Sequence, residues 1–199
     1  MAKPETELDE HFRERYLDAG SPEAAARVER AREVVEAMRR YDALAGGEEK
    51  ERADLGRALG KFARIARLND QLRDARDAWE DAIEIWRELD RHKAMFLARL
   101  EQTVALAESY IAGDETIELA EITRRFEALE ARIASDDTGK LSLYEDFVAS
   151  HRGCWHAGRA EFEEASEHIG RALELRRARG NARHIEQTEL LLDRIARSG

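Results

Sequence analysis

The densest chemistry in the sequence is HRGCWH, residues 151–156, where the single cysteine, Cys154, stands between His151 and His156. A thiolate with two imidazoles is a partial zinc ligand set, and a cysteine near histidine is a candidate nucleophile. Spacing weakens both readings. At 100° per residue along a helix, His151 and Cys154 share a face, while His156 lies about 200° round from Cys154. No further cysteine lies nearby, and no anion-stabilising site accompanies the pair. The stretch therefore predicts a packed or half-exposed helix, with no metal, no cofactor and no catalysis. A glycine-rich phosphate loop and a Ser-His-Asp arrangement are not recognisable, and paired carboxylates recur too generally to mark a site.

The most specific charge pattern lies between Glu49 and Leu68. Lys50, Arg57, Lys61 and Arg64 fall within about 60° of arc, with Leu55, Leu59, Phe62 and Ala66 opposite. Such a stripe is either a solvated face balanced by nearby acids or a seat for an acidic ligand. Trp79 and Trp86, seven residues apart, share another face; core packing explains them, and an exposed edge would make an aromatic anchor. Arg176, Arg177 and Arg179 precede Gly180, a place where cations complement a helix dipole.

These residues need helices to carry them, and the composition favours helix throughout. Of 199 residues 38% are charged and 43% hydrophobic; Pro4 and Pro22 are the two prolines, so beyond Glu23 no proline interrupts a helix. Period-two runs of β-branched residues are missing, which excludes a sheet. Ser21-Pro22 starts a helix to about Leu44, before Gly46-Gly47. Others are expected from Glu49 to Leu68, after an Asp70 cap, from Asp90 to Ile111, from Asp114 to about Ala134, from Lys140 to His156, around Ala165, and after Gly180-Asn181. A shorter leading helix near Leu8 to Asp18 brings the count to about nine, with 1–20 the loosest part of a single domain, 1–199.

An internal frame recurs along these helices. A small or aliphatic residue, a bulky one four further on and another apolar one three beyond occur at Ala31, Val35, Met38; Ala75, Trp79, Ala82; Ile122, Phe126, Leu129; and Ala165, Ile169, Ala172, at offsets of 44, 47 and 43 residues. Small residues let helices approach, and the bulky one fills the groove. Similar offsets mark a stacked array of helix pairs, each covering the apolar face its neighbour leaves.

With EFEEA leading into Ala165 and ALELRRARGN following, this frame resembles the second helix of a tetratricopeptide repeat. The first-helix half is poorly kept, the closing proline is absent, and the offsets exceed the ~34 residues of that repeat. The resemblance implies an all-α protein of antiparallel helix pairs stacked as an α-solenoid, a right-handed superhelix. It also implies a concave face for a partner protein or peptide, where the family often clamps acidic groups; Lys50, Arg57, Lys61 and Arg64 are the positions expected to do so.

The net charge of -10 opposes nucleic acid and anionic lipid. The opening MAKPETELDEHF is acidic where a secretory leader is basic and apolar, and no apolar run approaches ~20 residues, so a cytoplasmic protein without a membrane span is expected. The expected function is a non-catalytic scaffold, monomer or homodimer. A self-assembling structural or regulatory subunit is the alternative, and an enzyme or metal protein built on Cys154, His151 and His156 is the third class.

Overall fold

The structure, a computed structural model, describes residues 22–44 and 46–198. The expected leading helix and the Ser21 cap lie outside these residues. Among them the chain is all-helical, with eight α-helices, one 3-10 turn and no strand: α1 (Pro22–Leu44), α2 (Glu49–Arg67), α3 (Leu72–Glu88), α4 (His92–Ile111), α5 (Leu119–Ala134), the turn Ser142–Tyr144, α6 (Glu145–Gly158), α7 (Phe162–Arg179) and α8 (Ala182–Ser198). The chain divides into two compact units, Met1–Ala105 and Leu106–Gly199.

Six of the eight helices end on one device. A residue in the left-handed region follows the helix, and the next amide reaches back five residues, as Gly47 to the Asp42 carbonyl, Gln71 to Ala66, Arg91 to Trp86, Asp114 to Ser109, Glu161 to His156 and Asn181 to Arg176. This is the Schellman closure, which satisfies orphan carbonyls and turns the chain sharply. Glycine fills the left-handed place at Gly46, Gly113 and Gly180, whereas Asp70, Asp90 and Ala160 take it with φ of 58°, 54° and 59°. Asp70 and Asp90 are thus the stops of α2 and α3 and not the caps of the helices that follow.

Two more starts differ from expectation. The Asp114 carboxylate accepts from the Thr116 amide and hydroxyl at 3.1 and 2.6 Å, closing a local turn, so α5 begins only at Leu119. Asp136 likewise accepts from Thr138 and, at 2.6 Å, from the Leu141 amide, which delays α6 to Glu145. In both places a short acidic side chain satisfies loop backbone instead of a helix terminus.

In the first unit α2 packs between α1 and α3. Gly56 and Gly60 open the way for two tryptophans. A Cβ on Gly56 would stand 2.7 Å from Trp86 Cζ2, and one on Gly60 3.0 Å from Trp79 Cζ3. Two helical glycines cost about 2 kcal/mol together at most, while burying one tryptophan removes about 200 Å² from water, roughly 5 kcal/mol gross. Burial wins. Across α2, α1 and α3 are joined by Arg32 to Asp74 and Arg39 to Asp81, two ion pairs each spanning 42 residues of sequence.

In the second unit α6 packs against α5 and α7, and α7 against α8. Gly153 repeats the device, since a Cβ there would meet Ile169 at 2.6 Å. The recurring frame falls on α1, α3, α5 and α7, every second helix. Ala75, Ala82, Ile122, Phe126, Ala165, Ile169 and Ala172 have no exposed surface, and Trp79 and Leu129 are 5% and 4% exposed. Small-large-small spacing is a packing device here.

Candidate functional site

The basic residues of α2 diverge in their surroundings. Leu55, Leu59, Phe62 and Ala66 are buried, which turns Lys50, Arg57 and Lys61 outward, all three exposed. Arg64 is engaged: its guanidinium lies 3.0 Å from Glu101 of α4 and 5.9 Å from the Trp79 ring centroid. Arg57 pairs with Asp54 one turn earlier.

Arg57 also lines a groove of about 620 Å³ between α2 and the start of α4. Ala53, Trp86, Ala94 and Leu97 supply its apolar lining, and Arg57, Arg91, His92 and Lys93 its cationic rim, with Asp90 as the acid among them. Trp86 reaches the groove because Gly56 lets its ring lie under the α2 backbone, only 8% exposed. Arg91 pairs with Glu49, and His92 Nε2 lies 3.0 Å from Asp90. Glu49 reaches Arg91 from 42 residues away, Asp90 is local to His92, and both carboxylates are exposed.

Of the four expected positions, the structure brings Arg57 to this groove. Lys50 and Lys61 remain on the outer face of α2. Arg91, His92 and Lys93 were missed by sequence reasoning, although a signal exists. Cations in the first turn oppose the helix dipole, so Arg91-His92-Lys93 opening a helix with no acid in its first turn is anomalous. Such an end attracts anions more strongly than an ordinary helix N-terminus.

The cysteine-histidine cluster takes a different form. His156 Nδ1 lies 2.8 Å from Glu161, and its ring stacks on His168 at 5.2 Å between centroids. Cys154 keeps an exposed surface, and partial desolvation by its neighbours, with the Glu108 carboxylate adding and Arg176 opposing, moves its thiol above the ordinary range. A raised thiol is a poorer source of thiolate. Among the described residues no three His, Cys, Asp or Glu side chains converge as metal ligands.

The arginines near Gly180 stand in the last turn of α7, where cations complement the dipole, and each also has an ion-pair partner. Arg176 Nε donates to Asp146 at 2.9 Å, with side chains 9% and 4% exposed. Arg179 donates to Asp146 and to the Leu143 and Ser142 carbonyls, fixing the turn before α6. Arg177, paired to Glu189, remains exposed. Asp146 Oδ1 and Oδ2 are both satisfied, as burial of a carboxylate requires.

No protein-family model matches the chain, and no curated protein or solved structure matches it. Among the described residues no helix is long and apolar enough to cross a membrane.

Proposed function

We propose that the chain is a non-catalytic protein-interaction module, a tetratricopeptide-like array of helix pairs that binds an acidic partner protein or peptide. The observation that carries this reading is the groove of about 620 Å³ with an apolar lining and a rim of Arg57, Arg91, His92 and Lys93, in a chain of net charge -10. A local basic rim on an acidic protein concentrates field at one place and selects partners of opposite sign. Support for the repeat architecture comes from the frame on alternate helices and the 42-residue ion pairs between α1 and α3. Lys50 and Lys61 extend the positive field along α2. Affinity capture with mass spectrometry tests the reading. Wild-type protein should retain a partner that Arg57→Glu/Arg91→Glu does not, and equal recovery by both would remove the groove from the account.

Self-assembly is the second reading, favoured by the apolar residues that α1 exposes: Val34 (55%), Tyr41 (56%) and Leu44 (87%). Light scattering separates the two. A dimer mass that reverts to monomer in Val34→Ser/Tyr41→Ser supports assembly, and a monomer mass for the wild type refutes it.

A further inference from the structure

The groove rim is already occupied by the chain's own acids. Arg57 pairs with Asp54, and Arg91 with Glu49, with side-chain exposures of 59% and 39% in the first pair and 57% and 65% in the second. Pairs this exposed contribute about 0–1 kcal/mol, so exchanging one carboxylate for another costs little. Neither Asp54 nor Glu49 belongs to the groove lining, which is mostly carbon: Ala53, Trp86, Ala94 and Leu97. Its volume of about 620 Å³ leaves room for a bulky side chain, within the ~300–1,000 Å³ of ligand clefts generally.

We propose that the groove takes a partner segment in which a bulky apolar side chain is flanked by carboxylates, and that Asp54 and Glu49 hold the cationic seats until that segment displaces them. This rests on the reading of the chain as a module for an acidic partner. The apolar side chain enters over Trp86 and Leu97, and the flanking acids take Arg57 and Arg91. Both requirements must be met together. An acidic segment without the apolar residue only trades one exposed ion pair for another, and an apolar segment without acids gains the apolar seat alone, with Arg57 and Arg91 still held by Asp54 and Glu49. The chain's own carboxylates therefore act as competitors that raise the threshold for weakly matched ligands.

Titration calorimetry with two synthetic probes tests this: the acetylated, amidated pentapeptide Glu-Asp-Phe-Asp-Glu and its counterpart with Gly in place of Phe. The Phe peptide should bind wild-type protein at least about tenfold more tightly than the Gly peptide. Its affinity should rise about threefold or more in Asp54→Asn/Glu49→Gln and fall at least about tenfold in Arg57→Glu/Arg91→Glu. Glu163→Gln/Glu186→Gln, an equal charge change in the second unit, should leave it unchanged, and circular dichroism checks that each variant folds. Equal affinity for the two peptides would overturn the apolar seat while leaving an acidic-partner module intact. Unchanged affinity in Asp54→Asn/Glu49→Gln, or a rise matched by the control, would overturn displacement. If neither peptide binds wild-type protein at millimolar concentration, the groove is not the seat, even where affinity capture still retains an acidic partner.

Discussion

Asp146 joins the elements of the second unit through a buried carboxylate. Its carboxylate, 4% exposed, receives Arg176 and Arg179, while Arg176 also reaches Thr188 of α8. Removing one member of a buried pair leaves the other charge without compensation, a loss of about 3–5 kcal/mol. Asp146→Ala should lower the free energy of unfolding by that amount, whereas Arg177→Ala, which breaks an exposed pair with Glu189, should change it by less than about 1 kcal/mol. Equal effects would return Asp146 to the surface.

His168 makes stability depend on pH. Burial, the Arg152 charge and His156 lower its pKa from 6.5 to about 4. Between those values the unfolded chain binds a proton that the folded chain refuses, so stability falls as pH drops from 6.5 and levels off below about 4. Screening of a part-exposed ring reduces the effect to roughly 1 kcal/mol. Chemical denaturation at pH 7 and pH 4.5 should show a smaller difference in His168→Gln than in the wild type, and an identical difference would contradict the assignment.

At the scale of elements, glycines distinguish close helix approach from open surface. Gly56→Ala would press a methyl group against Trp86, costing about 1–3 kcal/mol, more than the up to ~1 kcal/mol gained in helix propensity. Gly170, in the middle of α7, meets nothing within 4 Å, so Gly170→Ala should stabilise by about 0.5–1 kcal/mol. Opposite signs in thermal melts are the expected outcome; destabilisation by both would mean that α7 is covered at Gly170.

The helices themselves were legible because apolar periodicity, glycine stops and Pro22 act within a few residues of each other. The frame at Ala75, Trp79 and Ala82 was legible for the same reason. The break at Asn69-Asp70 was legible as a turn, but the left-handed stops at Asp70, Asp90 and Ala160 were not, since non-glycine residues in that region leave no compositional mark. The buried pair of Arg176 was not legible, because a basic last turn accounts for it locally and Asp146 lies 30 residues away. Arg57 was found through the period of α2 alone. Arg91, His92 and Lys93 reach the same groove from the start of α4, which the period of α2 cannot reveal.

For the molecule as a whole, the proposed function makes charge the link between fold and partner. A chain of net charge -10 repels most acidic proteins at long range, so on that proposal the basic groove would bind only where local contact outweighs that field. Salt weakens exposed ionic contacts and leaves apolar burial nearly untouched. Binding through the groove should therefore weaken with salt but persist at a plateau carried by the apolar lining. The most direct measurement is calorimetric titration of the captured partner against wild type, Arg57→Glu/Arg91→Glu, and Arg124→Glu/Arg177→Glu, which carries the same charge change on exposed residues of the second unit. The groove variant should lose at least about tenfold in affinity and the control less than about threefold, with circular dichroism unchanged in both. Equal losses in the two variants would show that the partner responds to net charge alone and would contradict the groove as its binding site.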